Sequence, residues 1–277
     1  MATFTFQDIS FLAPKQKLWT PADISTLLWL DNVDTSTVTL ATGISQWNDK
    51  SGNGKHISQA SGSQQPTIVA NSLNGLSGVQ FVRGSDQFLA NLSTAVSPDK
   101  FRVVCVMQKT GSAGGMILKN GSLANDNTAG SALGFGGTTY DDSGNNFIFL
   151  HEWVQWCPTT YAISGSTPTI VSALMGSKFH APSGTNDGPL GVTFNGALPY
   201  TFATQNNFPT RAAANSFYVG GGNTRGLDCI LYELVAFPWD YPNLDAPIYT
   251  EGYLAWKYNL QSNLPSDHAY KSGPPTI

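Results

Sequence analysis

Residues 44–56 read ISQWNDKSGNGKH, so a short apolar segment is followed at once by Asn, Asp, Ser and Gly. Trp47 supplies an apolar anchor at the end of a strand. Because Asn and Asp side chains can bond their own backbone and Gly can adopt positive φ, residues 48–54 predict a tight turn. As an alternative to a purely structural turn, Asp49 and Asn53 could supply oxygen ligands to Ca²⁺.

The same alternation of short apolar segments with turn-forming residues extends over the rest of the chain. Gly, Ser, Thr and Asn cluster between short runs of Val, Ile, Phe and Tyr, which is typical of many strands joined by turns. This spacing predicts an all-β fold, an antiparallel sandwich or jelly roll in which two sheets close over one core. The clearest strand-like runs occupy residues 28–31, 79–82, 101–109, 116–119, 147–152, 169–174, 190–194, 216–219 and 229–237.

Two helices are expected at the ends of this pattern. Thr20 can act as an N-cap and Asp23 as the capping-box acid, which predicts a short helix that ends near Leu27. Asp245 can cap a longer helix over residues 245–260. Four aromatic and apolar residues of the longer helix are spaced to share one face: Tyr249, Tyr253, Trp256 and Leu260.

The chain length suits one large all-β domain. We expect this single domain to span residues 19–277, with an extended, proline-containing tail over residues 264–277. Residues 1–18 lie outside the main pattern, although Thr and Phe alternate over residues 2–6. They predict an added strand, or an arm that pairs with a neighbouring subunit.

Charge is scarce in this sequence. The 14 Lys and Arg and 18 Asp and Glu give a formal net charge of −4, and charged residues make up 12% of the chain. An ordinary soluble domain carries roughly 25%. Without a dense Lys and Arg stripe, nucleic acid is not an expected partner. With 41% hydrophobic residues, the chain is also unlike disordered segments.

The sequence also lacks the patterns of a membrane helix, a signal peptide, a zinc site and a disulfide framework. The sequence has neither an apolar run of about 18 residues, as membrane insertion requires, nor a classical signal peptide at its start. Cys105, Cys157 and Cys229 are far apart and form no CxxC pair. They therefore predict buried free thiols and neither a zinc site nor a disulfide framework.

Three blocks of sequence resemble a known family. The first joins residues 28–31 to residues 44–56, the second covers residues 66–89, and the third joins residues 231–235 to residues 251–271. They are similar to the laminin-G-like, concanavalin A-like jelly-roll domains of tailed-phage virion proteins and large bacterial surface proteins. The resemblance implies two antiparallel sheets with a short N-terminal and a longer C-terminal helix. It is carried by Trp29, Asp31, Trp47, Asn48, Asp49, Gly52, Gly54, Glu233 and Trp256.

The resemblance also implies a function. We expect a non-enzymatic bacteriophage structural protein on the virion surface, either a capsid decoration or a tail-associated adhesion module, made in the host cytoplasm. Its partners would be other virion proteins. The alternative is a lectin-like protein of the tail or fibre that binds host surface polysaccharide. A bacterial surface adhesin is disfavoured by the missing signal. The oligomeric state is not predicted.

Catalytic motifs are sparse. Glycanases of this fold place two carboxylates on one strand in an ExDxxE-like arrangement, but the sequence has Glu only at Glu152, Glu233 and Glu251. His151 and Glu152 begin an HExxH-like pattern that lacks its second His, and no GxSxG elbow is present. We therefore expect no enzymatic activity. A Ser-His-Asp triad drawn from distant loops is left open.

Glycans bind aromatic faces together with neutral polar groups. Our candidates for such a surface are Tyr140, Trp153, Trp156 and Trp239. If residues 151–156 formed one strand, Trp153 and Trp156 would lie on opposite faces, so one of them would face solvent. Further candidate Ca²⁺ ligands on other loops are Asp141, Asp142 and Asp187.

Glu233 lies in the alternating segment 231–235. Alternation would place Tyr232 and Leu234 on one face of the strand and Glu233 on the other. We expect Glu233 to accept hydrogen bonds from a neighbouring strand or loop. The alternative is contact with a ligand.

Overall fold

The computed structural model describes residues 16–97, 101–121, 131–136, 146–151, 155–162, 167–175, 192–197, 215–221, 226–238 and 245–277. Within these ranges the chain forms sixteen strands, one α-helix and five short 3₁₀ helices. The strands are β1 (Leu28–Asp31), β2 (Val38–Leu40), β3 (Ile44–Trp47), β4 (Ile57–Ser58), β5 (Thr67–Leu73), β6 (Leu76–Phe81), β7 (Leu89–Asn91), β8 (Phe101–Lys109), β9 (Gly115–Asn120), β10 (Ser131–Gly136), β11 (Asn146–His151), β12 (Gln155–Ala162), β13 (Thr169–Met175), β14 (Val192–Phe194), β15 (Phe217–Val219) and β16 (Cys229–Pro238). The helices are α1 (Ala246–Lys257) and the 3₁₀ segments Pro21–Asp23, Thr35–Thr37, Gly62–Gln64, Arg83–Ser85 and Gln261–Asn263.

The strands form two antiparallel sheets. A seven-stranded sheet has the order β14-β13-β8-β16-β6-β5, with β1 also paired to β16. A nine-stranded sheet has the order β12-β11-β10-β9-β15-β7-β4-β3-β2. The predicted all-β sandwich of jelly-roll class is therefore confirmed.

The seven-stranded sheet is covered on both of its faces. In β8, Val103 and Cys105 point into the core between the two sheets. Val104 and Val106 alternate with them and pack on the opposite side with Leu254 of α1. Strand β8 is thus almost entirely buried, which explains its continuous apolar sequence.

A β-bulge changes the faces of β16. The register between β16 and β8 shifts between Leu231 and Glu233. As a result Tyr232 and Glu233 both face α1, whereas Leu234 points into the core between the sheets. The predicted alternation of Tyr232 and Leu234 against Glu233 is wrong, because a bulge inserts an extra residue into the strand and re-aims its side chains.

Helix α1 covers residues 246–257, within the predicted range of 245–260. Its most deeply buried positions include Thr250 and Leu254. The predicted face makes two kinds of contact: Tyr249 and Tyr253 pack against Trp19, and the Tyr253 hydroxyl also donates to Glu233 of β16. The helix therefore contacts both the sheet and the segment that contains Trp19.

The N-terminal helix is shorter than predicted. The capping box forms, with the Thr20 backbone N–H donating to Asp23 Oδ2 at 2.8 Å. The helical segment nevertheless stops at Asp23, because Ile24 is extended and the Thr26 hydroxyl donates back to the Pro21 carbonyl. A hydroxyl bonded in this way competes with helix continuation.

The C-terminal tail is not simply extended. It turns twice, with the His268 N–H bonded to the Pro265 carbonyl and the Lys271 N–H bonded to the His268 carbonyl. Its end forms a β-bridge between Thr276 and Leu18. Residues 16–18 thus pair with the tail of their own chain, while residues 1–15 of the predicted arm lie outside the described residues.

Residues 151–156 do not form one strand. His151 ends β11, Gln155 begins β12, and the two residues are cross-strand partners in an antiparallel pair. The expectation that residues 151–156 form one strand is therefore wrong, and Trp153 lies outside the described residues.

Cys105 and Cys229 are free and fully buried, as the sequence predicts. Burial raises the pKa of the Cys105 thiol to about 12. Cys157 lies in β12. Among the residues that the structure describes, no helix is both long and apolar enough to cross a membrane.

Candidate functional site

One row of cross-strand partners crosses all nine strands of the second sheet. Tyr218 shows which face of the sheet this row occupies, because its neighbours Phe217 and Val219 are fully buried in the core. Tyr218 therefore lies on the outer face of this sheet. The row consists of Thr39, Gln46, Ser58, Ala90, Tyr218, Lys119, Ala132, Leu150 and Trp156.

An aromatic pair lies at the centre of this outer face. The rings of Phe88 and Tyr218 are tilted by 53° with centroids 5.9 Å apart. Both side chains are half-buried, so each keeps part of its surface open to solvent. Aromatic pairs in this geometry stabilise each other and remain able to pack against an apolar ligand surface.

Neutral polar side chains lie on the same face, on strands β4, β3 and β2, which follow β7 in the sheet order. Thr39 and Ser58 are exposed, and Gln46 between them is half-buried. The Gln46 side-chain amide donates to Asn48 Oδ1 at 2.6 Å, which fixes both side chains on the same side of β3. We call this surface the polar–aromatic face and define it by Thr39, Gln46, Asn48, Ser58, Phe88 and Tyr218.

The charged member of the row is withdrawn from solvent. Lys119 pairs with Tyr218 across the strands but is only 6% exposed. The polar–aromatic face therefore offers hydroxyl, amide and ring groups. This combination suits a neutral ligand with both C–H surfaces and hydroxyl groups.

The turn after β3 forms as the sequence predicts, and Asp49 organises it. Asp49 Oδ1 accepts from the backbone N–H groups of Trp29 (3.0 Å) and Ser51 (2.9 Å). Asp49 Oδ2 accepts from the Ser51 hydroxyl (2.8 Å) and the Lys55 N–H (3.1 Å). The glycines of the turn have positive φ, 87° at Gly52 and 68° at Gly54. The Asp49 carboxylate thus ties the turn to β1.

The two candidate Ca²⁺ ligands in this turn have protein partners. Both oxygens of Asp49 accept hydrogen bonds within the fold, and Asn53 Nδ2 donates to the Thr26 carbonyl at 2.7 Å. Among the described residues, no group of three or more His, Cys, Asp or Glu is placed to hold a metal ion. Ca²⁺ binding at this turn stays a prediction.

Beneath α1, four charged side chains meet between the helix and the seven-stranded sheet. Lys257 Nζ lies 2.8 Å from Asp31 Oδ1 and 2.6 Å from Glu233 Oε2. Lys50 Nζ lies 2.9 Å from Asp31 Oδ2. We call Asp31, Lys50, Glu233 and Lys257 the buried ion cluster. It joins strands β1 and β16 and the turn after β3 to the helix.

Aromatic donors complete the shell around Glu233. Its Oε1 accepts from Trp29 Nε1 at 2.7 Å and from the Tyr253 hydroxyl at 3.1 Å. Its Oε2 accepts from the Tyr258 hydroxyl at 3.1 Å as well as from Lys257. Glu233 thus has the expected partner on a neighbouring strand, together with partners on α1, and it is 0% exposed.

Burial dominates the pKa of Glu233, whereas pairing with lysines dominates the pKa of Asp31. Burial raises the pKa of Glu233, because it disfavours the charged form more than Lys257 favours it. Burial also acts to raise the pKa of Asp31, but Lys257 and Lys50 outweigh it and the pKa falls below its usual value. Burial and the nearby Glu233 raise the pKa of the Tyr253 hydroxyl. The pKa values of the two carboxyls are therefore shifted in opposite directions, upward at Glu233 and downward at Asp31.

The remaining sequence candidates are only partly located. Trp156 belongs to the cross-strand row that contains Tyr218. Six candidates lie outside the described residues: Tyr140, Trp153, Trp239, Asp141, Asp142 and Asp187.

Sequence reasoning missed Phe88 and Tyr218. The signal was present at Tyr218, because a tyrosine between the apolar residues Phe217 and Val219 in a short strand should face away from the core. No sequence signal indicated that Phe88 would reach it, since the pairing of β7 with β15 joins distant parts of the chain.

No protein-family model matches the sequence, and no curated protein matches it at a significant level. Solved structures do match. An α-L-arabinofuranosidase is 16% identical with a TM-score of 0.50, and the match covers 85% of this chain and 60% of that one. The binding domain of botulinum neurotoxin DC is 13% identical with a TM-score of 0.50, covering 83% and 52%. A Trypanosoma rangeli sialidase is 14% identical with a TM-score of 0.49, covering 77% and 30%.

The likenesses to the arabinofuranosidase and to the neurotoxin binding domain establish the β-sandwich fold. The chain spans only about a third of the sialidase and 60% of the arabinofuranosidase. The expectation of a non-enzymatic protein is contradicted, because enzymes are among the structures that share the fold. The scarcity of glutamate excludes the ExDxxE-like pair of carboxylates. It does not exclude other catalytic arrangements, because one fold can serve both enzymes and non-enzymes.

Proposed function

We propose that this chain binds carbohydrate, and that the polar–aromatic face is its binding surface. The observation that carries the proposal is that the half-buried pair of Phe88 and Tyr218 shares one sheet face with neutral polar side chains. A sugar ring can lay its C–H surface on an aromatic ring while its hydroxyl groups bond to amides and hydroxyls. Gln46 and Ser58 supply such groups on the same face, with Ala90 between Ser58 and Tyr218 in the cross-strand row.

Structures of the same fold support this proposal. The arabinofuranosidase was soaked with 4-nitrophenyl α-L-arabinofuranoside, and the neurotoxin binding domain was solved in complex with SialylT. Both ligands are named for sugars. We extend this ligand class, but neither specific sugar, to the present chain.

The biological setting is proposed from the sequence resemblance. The blocks at residues 28–56 and 231–271 resemble domains of tailed-phage virion proteins, so we place the chain on a phage particle, where it recognises host surface polysaccharide. Co-purification with intact particles tests this setting. Its absence from purified particles would remove the setting and leave carbohydrate binding to be judged separately.

Carbohydrate binding is tested with the purified chain on a glycan array and on host-cell polysaccharides. We expect binding to a restricted set of saccharides, together with weaker binding of the same saccharides by Tyr218→Ala. Reducing ends released from each bound polysaccharide are measured in the same samples, so that hydrolysis is detected along with binding. Absence of binding to every saccharide offered would contradict the proposal.

A further inference from the structure

The buried ion cluster brings a primary amine into contact with two carboxyl groups of different character. Lys257 Nζ is 2.6 Å from Glu233 Oε2, which places the Glu233 carboxyl carbon one bond further away. It is also 2.8 Å from Asp31 Oδ1. An amine and a carboxyl held in contact in a water-poor site can condense, because positioning replaces a bimolecular encounter. We propose that Lys257 and Glu233 form an intramolecular isopeptide bond.

Glu233 is the carboxyl suited to be attacked. It is 0% exposed, and its burial favours the neutral acid, which is more electrophilic than a carboxylate. Asp31 is placed to be the base, because its Oδ1 lies 2.8 Å from Lys257 Nζ. The two carboxyls around one amine therefore take different roles, as in other sites where environment separates two acids.

Donors are already placed for the charge that would develop on Glu233. Trp29 Nε1 and the Tyr253 hydroxyl both donate to Oε1, at 2.7 Å and 3.1 Å. Two donors on one carbonyl oxygen stabilise the oxyanion of a tetrahedral intermediate, most strongly in a site without water. The opposite oxygen, Oε2, is contacted by the Tyr258 hydroxyl at 3.1 Å and is the oxygen that leaves.

The steps balance without a cofactor or an oxidant. Asp31 takes one proton from the Lys257 ammonium, and the freed amine attacks Cδ of protonated Glu233. A C–N bond forms and an electron pair moves onto Oε1. Asp31 then returns its proton to Oε2 and accepts the proton still held by nitrogen. The electron pair returns from Oε1, the Cδ–Oε2 bond breaks, and water leaves. The proton left on Asp31 passes to solvent.

The charges that remain after condensation are paired. The amide replaces the Lys257 ammonium and the Glu233 carboxyl with one neutral group, which removes the desolvation cost of the buried ammonium. Asp31 keeps Lys50 as its partner at 2.9 Å. The bulge in β16 is what aims Glu233 at the helix, and bulges often re-aim side chains in this way at reactive sites. The bond would covalently fasten α1 to the seven-stranded sheet.

The test is the intact mass of the full chain, measured under denaturing conditions after prolonged incubation of the folded protein. We expect a mass lower than the sequence mass by one water molecule. Chymotrypsin cuts at aromatic residues between positions 233 and 257, so a digest should contain a branched peptide that joins β16 to α1. The control is Lys257→Arg, which keeps the positive charge but has no nucleophilic amine at pH 7. It should have its full sequence mass.

Two results would overturn the proposal. A wild-type chain with its full sequence mass would show that no condensation occurs. A loss of water that persists in Lys257→Arg would place the dehydration at another position. Neither result depends on whether the chain binds carbohydrate.

Discussion

Trp29 Nε1 donates a 2.7 Å hydrogen bond to Glu233 Oε1 across 204 residues of sequence. Trp29 lies in β1 and Glu233 in β16, and these strands pair directly. Lys257 of α1 reaches the same carboxyl. Strand β1, strand β16 and helix α1 are therefore fastened together at the Glu233 carboxyl.

Trp29→Phe should destabilise the protein by about 2 to 3 kcal/mol, because hydrogen bonds to charged groups contribute about 1.5 to 3 kcal/mol and a buried acceptor loses one donor. Urea unfolding at neutral pH measures this change in the free energy of unfolding. The control is Trp19→Phe, which trims a ring that stacks on Tyr249 and should cost less. Equal losses in the two variants would mean that the bond to Glu233 adds nothing.

Lys257→Met should cost about 3 to 5 kcal/mol at neutral pH, because it leaves buried carboxyls without their central cation. Lowering the pH should recover part of this loss. Burial raises the pKa of Glu233 in the folded protein above the value of about 4.3 expected in the unfolded chain. The folded variant therefore binds a proton at a higher pH than the unfolded chain does, and its stability rises as the pH falls from 7 toward that value.

Urea midpoints between about pH 7 and pH 5 follow this recovery. The matched control is Lys17→Met, which removes a lysine from an ion pair with Asp23 whose lysine side chain is 66% exposed. It should cost less than about 1 kcal/mol, because an exposed pair contributes little. A Lys257→Met variant whose stability falls steadily with acidification would contradict the assignment of Glu233 as the group that titrates.

Gly220→Ala should destabilise the protein by about 2 to 4 kcal/mol, because it combines backbone strain with overpacking. Gly220 has a φ of 88°, and a Cβ at this position would lie 2.0 Å from the Phe81 ring. Gly84→Ala is the control, since a Cβ there meets nothing within 4 Å, and it should change stability by less than about 0.5 kcal/mol. Thermal unfolding of the two variants separates them. Equal midpoints would show that Phe81 and the backbone relax freely.

Much of the fold could be predicted from local sequence. The apolar run that forms β8 and the long strand β16 match the expected segments closely, because a buried strand must be apolar along its whole length. The bulge at Glu233 could not be predicted, since it depends on the register between β16 and β8. The early end of the first helix depends on the contact between Thr26 and Pro21, which propensity does not encode.

The candidate site was less predictable than the fold. The motif residues Trp29, Asp31 and Glu233 were identified at the ends of the chain, but nothing local showed that Lys50 and Lys257 would meet them. The polar–aromatic face is harder still. Its residues come from strands β2, β3, β4 and β15, from Asn48 just after β3 and from Phe88 just before β7, so only the strand order of the folded sheet brings them together.

The central claim is that the polar–aromatic face binds carbohydrate through its aromatic pair. The most direct measurement is calorimetric titration of the best saccharide from the array into wild type, Tyr218→Ala, Tyr218→Phe and Ile68→Ala. Ile68 is an exposed apolar residue on β5 of the other sheet and controls for truncation alone. We predict that Tyr218→Ala weakens binding about five- to thirtyfold, equivalent to 1 to 2 kcal/mol, and that Tyr218→Phe and Ile68→Ala retain wild-type affinity. Unchanged affinity in a correctly folded Tyr218→Ala variant would contradict the account.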